Sequence, residues 1–254
     1  MNRDNRHIEA QEVSTPLNQP LVVIACKVLE NMVKALLPDN WAAQIIFMDY
    51  GLHRSPRRMT LMLQQAIDSL CEPSLVILGY GLCGKGLAGI EAGDHTLLVP
   101  RVDDCIALLL GSHETYMREF EKEPGTYYLS KGWLESGSHP LSEYEENKAK
   151  YGHEKAAWIM DQQYGNYSRL VLVTHNRADM DRYRPQAEAV ARYCSQWGMA
   201  LEEILGSDQY VRRLIEVAGL MHRADDDFVL IPPGGRIRQE QFMRQQVAGI
   251  TQGK

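Results

Sequence analysis

The sequence predicts an α/β protein of two Rossmann-like halves, each a mostly parallel sheet layered between helices. Two observations predict it. Short β-branched runs alternate with stretches whose apolar residues recur at helical spacing, the pattern of βαβ units with right-handed crossovers. That alternation occurs over 21–111 and again over 166–235, separated by a more polar segment over 112–165.

In order along the chain, Leu21–Cys26 is a β-branched strand, and Val28–Leu37 carries a helical stripe that Pro38 stops. Gln44–Tyr50 is a second strand, Pro56–Cys71 an amphipathic helix and Leu75–Gly79 a third strand with a continuous apolar core. A Gly-rich turn and a brief helix around Leu87–Ala92 lead to strand Thr96–Val102 and helix Asp104–Gly111. Residues Gly125–Gly137 are aromatic and Gly-rich, which suits a loop or short strand folded over a cleft, with Tyr127, Tyr128 and Trp133 as a wall. Pro140–Tyr164 reads as one long charged helical stretch. The rhythm resumes with strand Arg169–His175, helix Arg184–Trp197, strand Leu201–Gly206, helix Asp208–Ala218 and strand Asp227–Ile231. Residues 1–20 are expected to be a disordered tail, and 236–254 a C-terminal helix or tail.

With 254 residues, 44% hydrophobic and 24% charged, the chain has the composition of an ordinary globular protein. Its formal charge of -6 offers no basic footprint for a phosphate backbone, so nucleic acid is not an expected partner. The polar first twenty residues hold no apolar leader, and no apolar run reaches membrane-spanning length. A cytoplasmic protein is expected. In that reducing compartment the five cysteines are better read as ligands, nucleophiles or core residues than as disulfides.

Three of them follow strands. Cys26 ends Leu21-Val-Val-Ile-Ala-Cys, Cys83 follows Leu75–Gly79 within Gly81-Leu-Cys-Gly-Lys-Gly86, and Cys105 follows the strand ending at Val102. Ligands of open parallel sheets bind beyond the carboxyl ends of strands, so these thiols are expected to converge on one site. Helix starts and Lys27 or Lys85 nearby are expected to favour the thiolates. Cys71 and Cys194 instead continue helical apolar stripes and are expected in the core.

A three-thiolate site has two main chemistries. An iron–sulfur cube, [4Fe–4S], leaves one iron open as a Lewis acid, and it is favoured because Gly81, Gly84 and Lys85 can bring backbone amides to cluster sulfides. Zinc is the alternative, with His95, His175 or a water as fourth ligand. The run Gly79-Tyr-Gly81-Leu-Cys-Gly84 also matches a dinucleotide fingerprint, with Asp103 or Asp104 as ribose partner, which keeps a dinucleotide-binding oxidoreductase as a lesser reading. Arg101 and His175 are expected to act on substrate, the first as carboxylate partner and the second as acid or base. Ser207 and Asp208 at a helix start, with Gly234 and Gly235 in a strand-end loop, are expected to hold a small anion, while Ser207 also serves as a helix cap.

The Ala25-Cys26 strand end, Gly79–Gly84, Pro100-Arg-Val-Asp-Asp-Cys-Ile-Ala-Leu-Leu-Leu-Gly111-Ser and Gly125–Trp133 together resemble a domain-of-unknown-function family of anaerobic microbes. The resemblance covers most of 20–235, and the Cys105 segment is its most specific part. It implies genes beside corrinoid-dependent methyltransferases and their activators, and so a corrinoid methyl-transfer system as partner. The sequence thus leads to a metal- or iron–sulfur-dependent lyase or transferase acting on a small anionic substrate. A non-catalytic delivery protein for the corrinoid system is the alternative.

Overall fold

A computed structural model describes residues 19–221 and 224–244. All but the last two residues of the expected N-terminal tail, and the chain beyond 244, lie outside the described residues. Eight strands are described: β1 (Leu21–Cys26), β2 (Gln44–Met48), β3 (Leu75–Gly79), β4 (Thr96–Pro100), β5 (Thr126–Ser130), β6 (Arg169–Thr174), β7 (Ala200–Leu205) and β8 (Phe228–Ile231). They form a five-stranded sheet in the order β2-β1-β3-β4-β8 and a three-stranded sheet β5-β6-β7. Every pairing is parallel except β4 with β8. The fold is therefore α/β with Rossmann-like layers, as the alternating pattern predicts.

The helices are α1 (Glu30–Leu36), α2 (Pro56–Asp68), α3 (Ile106–Leu110), α4 (His113–Lys122), α5 (Lys131–Ser136), α6 (Pro140–Tyr151), α7 (His153–Tyr164), α8 (Arg177–Cys194) and α9 (Gln209–Gly219). One face of the larger sheet buries Leu21, Val23, Ile77 and Leu98 against α1, α3 and α9. The other buries Val22, Ile24, Val76 and Leu78 against α2 and the 80–92 loop. The smaller sheet packs Leu129, Leu170 and Leu172 on α7 and α8. None of the described helices is long and apolar enough to cross a membrane.

Gly125–Gly137 forms the expected short strand, β5, because Tyr127 packs among Tyr164 and Tyr167 and Leu129 enters the core, and a helix, α5, follows it. Three expectations are corrected. The long charged stretch breaks at Gly152, whose φ of 81° suits glycine, into α6 and α7. No helix forms around Leu87–Ala92, where residues 83–89 are turns. Cys71 is exposed, since α2 stops at Asp68 before its stripe reaches the cysteine. Cys194 is buried on α8, where the sequence places it.

Candidate metal centre

Strand direction builds the site. β1 to β4 run parallel, and Cys26 is in register with Met48, so the loop after β2, starting at Asp49, leaves the sheet beside Cys26. The loop after β3 is stitched to the one after β4: the Leu82 amide donates to Val102 O (2.9 Å) and the Cys83 amide to Asp103 O (2.7 Å). Gly81 permits this approach, because a Cβ there would stand 2.7 Å from the Asp104 backbone. Cys83, Gly84 and Lys85 follow with φ of 47°, 62° and 75°. Left-handed geometry costs a non-glycine residue roughly 1–2 kcal/mol, so neighbouring contacts hold this turn against its local preference.

As a result Cys26, Cys83 and Cys105 line one small pocket together with Tyr80, Leu52, Trp133 and, from the loop after β2, Asp49, Tyr50 and His53. The His53 ring packs on Trp133 with centroids 4.8 Å apart. Among the described residues, no group of three or more His, Cys, Asp or Glu is arranged as the ligands of a metal ion.

The electrostatics correct the expectation of activated thiolates. Burial pushes the Cys26 thiol up to about 11 and Cys83 to about 12, and raises Cys105 well above the usual range. Negative charge on Cys26 raises Cys83 and Cys105, charge on Cys83 raises Cys105, Asp104 adds to the effect at both Cys83 and Cys105, and Asp49 raises Cys26. Backbone amides oppose this, Val28 at Cys26 and both Gly81 and Cys105 at Cys83, but desolvation is the larger effect. Lys27 and Lys85 are exposed and do not offset it. Three converging thiols in an apolar pocket are poor isolated anions, and a bound cation is what makes them good ligands.

Two more features mark the pocket. The Tyr80 hydroxyl is buried, has no hydrogen-bond partner among the described residues and senses the charge of all three cysteines. Buried polar groups are normally paired, so an orphan at a thiol cluster fits a group held there. Burial also raises the Asp104 carboxyl to about 6, although its Oδ1 accepts from the Ile106 amide at 2.8 Å.

A second, polar cleft of about 220 Å³ adjoins the cysteine pocket, the two sharing Val28 and Tyr50. It lies at the carboxyl ends of β1, β5 and β6 and includes Lys27, Glu30, Ser130, Lys131, Glu135, Thr174, His175 and Asp179. His175 is thus brought by the second sheet to the cleft that adjoins the cysteine pocket.

The other expected site residues are placed elsewhere. The Arg101 guanidinium donates to Met243 O (2.9 Å) and faces Asp226 (3.7 Å). Ser207 accepts from the Gln209 amide (3.1 Å) in the turn ahead of α9, whose N-cap is Asp208 without a side-chain cap bond, and Asp208 pairs with Arg212. Gly234 bonds to Gly93 and Gly235 to Ala92 at the opposite end of the larger sheet, because β8 is antiparallel and its carboxyl end points away. His95 accepts from the Ser74 amide at that same far end. Lys85 and Gly84 are exposed beside the turn, and the helix that a dinucleotide fingerprint needs is missing there. Sequence reasoning passed over Asp49, His53, Tyr80, Lys131 and Glu135. The first two follow a parallel strand just as the cysteines do, and the same strand-end rule finds them.

Fold and site together define an α/β protein with a three-thiol pocket at the carboxyl edge of its larger sheet. The chain belongs to the DUF1638 family, described as a protein of unknown function, which it matches over residues 47–215. That span holds Cys83, Cys105, His53 and the second sheet, while Cys26 precedes it. Comparison with curated proteins and with solved structures returns no match.

Proposed function

We propose that this protein is a cytoplasmic iron–sulfur enzyme, a lyase or transferase whose cluster is held by Cys26, Cys83 and Cys105 and whose substrate is a small anion. The observation that carries the reading is the meeting of three strand-end thiols in a pocket that adjoins a polar cleft. The donors are soft, backbone amides reach all three sulfurs, and the Tyr80 hydroxyl awaits a partner. A cluster is preferred to zinc because the Gly-rich turn around Cys83 brings backbone amides to the thiols, contacts that cluster sulfides use and a bare zinc ion has less need of. When bound, a three-cysteine cluster supplies one open iron as a Lewis acid.

The chain's own residues supply the rest. Lys27 and Lys131 attract and orient an anion in the cleft, and His175 is placed to take or give a proton. Trp133, Leu52 and Tyr80 exclude water from the thiols. A delivery protein would present its cysteines on an exposed apolar face. Here the large exposed apolar side chains, among them Leu61, Phe120, Trp158 and Met243, do not line the pocket, which favours the enzyme. The corrinoid system as partner rests on the family resemblance.

Purification and reconstitution without oxygen, followed by iron and acid-labile sulfide analysis, tests this. A brown protein with about four iron and four sulfide per chain is expected. A colourless protein holding one zinc would replace the cluster with zinc, and recovery of neither metal would favour the delivery role.

A further inference from the structure

Lys131 and Glu135 stand four residues apart on α5, a spacing at which lysine and glutamate commonly pair along a helix. They do not. Glu135 accepts instead from two phenols, Tyr50 (3.1 Å) and Tyr183, and among the described residues it has no ion pair. Neutral donors hold that carboxylate in place without cancelling its charge. Lys131 has no ion pair among the described residues either, and Lys27 lies over the Tyr50 ring at 5.7 Å. Glu30, by contrast, is answered by Lys34 at 2.6 Å.

The cleft therefore presents separated charges of both signs. A purely anionic occupant would face Glu135 and Asp179, and a purely cationic one would face Lys27 and Lys131. A second observation marks the anion-binding end. Ser130, next to Lys131, is only 2% exposed and lines the cleft, yet its hydroxyl has no partner among the described residues. It occupies the residue before α5, where a serine ordinarily caps the helix, and makes no cap bond. A buried hydroxyl left unpaired next to an unpaired lysine fits a ligand carboxylate.

We propose that the cleft binds a small zwitterion of amino-acid type, its carboxylate on Lys131 and the Ser130 hydroxyl and its cationic nitrogen on Glu135. This rests on the reading of the cleft as the substrate site and narrows the small anion of that reading to a carboxylate that also carries a cationic nitrogen. The cleft, at about 220 Å³, has room for a molecule of that size.

Titration calorimetry on the anaerobically reconstituted full chain tests the inference with L-serine, 3-hydroxypropionate, which lacks the amine, and ethanolamine, which lacks the carboxylate. Serine should bind at least about tenfold more tightly than either, a ratio typical of one lost charged contact. Lys131→Met and Ser130→Ala should each weaken serine, whereas Glu135→Gln should bring serine and 3-hydroxypropionate to similar affinity. Equal binding of serine and 3-hydroxypropionate by the unaltered protein, or binding of none of the three, overturns the inference. Repeating the titration on Cys83→Ala separates it from the metal reading. Serine selectivity without iron leaves the zwitterion site standing alone, and iron without selectivity refutes only the zwitterion site.

Discussion

The amide of Cys83 donates to the carbonyl of Asp103 over 2.7 Å, so the loop bearing one site cysteine is bonded to the loop that carries the next. The contact depends on Gly81, where a side chain would meet the Asp104 backbone. Gly81→Ala should cost about 1–3 kcal/mol through overpacking and should lower iron retention by separating Cys83 from Cys105. Denaturant unfolding of the metal-free protein and iron analysis of the reconstituted one measure both effects. Unchanged stability and unchanged iron would contradict the stitched-loop account.

Lys85 offers the opposite test of the same turn. Its φ of 75° is a left-handed conformation that glycine adopts without strain. Lys85→Gly should leave iron content unchanged and raise stability by up to about 1 kcal/mol, since relief of strain is partly offset by the entropy of the unfolded chain. Loss of iron in this variant would show that the lysine itself acts at the centre.

Tyr80→Phe removes a buried hydroxyl that has no partner among the described residues. In the metal-free protein the change should be neutral or slightly stabilising, because an unpaired polar atom leaves the interior. With the centre loaded, the same change should alter its absorption spectrum or reduction potential, since hydrogen bonds near a cluster tune it. A variant that matches the unaltered protein in both states would remove Tyr80 from the site.

His139 caps α6, its Nδ1 accepting from the Ser142 amide at 3.3 Å, and burial holds its pKa below the ordinary value. The fold thus favours neutral histidine. Its contribution is present above the unfolded pKa near 6.5 and is lost as pH falls through the lower folded value, as the unfolded chain takes up the proton first. Stability should decline on acidification below about pH 6.5, with His113 adding to the slope because burial lowers its pKa as well. His139→Asn keeps a capping acceptor and should flatten part of that slope, whereas His139→Ala should cost about 1 kcal/mol near neutrality. Identical pH profiles for the asparagine variant and the parent would exclude this role.

Local sequence carried much of the fold. Leu75–Gly79 is a strand with the bounds that its apolar run predicts, and β1, β4 and β6 agree to within two residues. The three strand-end cysteines were legible because the rule that finds them needs only the carboxyl end of a parallel strand. The parallel direction of most strands was legible too, but the sheet membership and direction of β8 were not. β8 returns from the second half to pair antiparallel with β4, and α9 packs on the larger sheet as well, so Gly234 and Gly235 face away from the thiols. Arg101 was expected at the site from its position in sequence, but its side chain turns toward Asp226 and Met243, contacts that lie 125 residues or more further along the chain. α8 begins at Arg177, seven residues before its predicted start, because its first turns are charged and only the Asn176 cap marks their onset. α2 ends at Asp68, short of the predicted Cys71, for a related reason: the apolar stripe persists in sequence after the helix itself has ended.

The most direct test of the centre compares five single substitutions, reconstituted without oxygen and assayed for iron and acid-labile sulfide per folded chain. Cys26→Ala, Cys83→Ala and Cys105→Ala should each lose most of both, because a centre missing one of three ligands is incomplete. Cys71→Ala, at an exposed position, should match the parent, and Cys194→Ala should keep its iron while losing about 1 kcal/mol of packing stability. Full iron and sulfide in any of the first three variants, or equal loss in all five, would contradict a centre held by Cys26, Cys83 and Cys105.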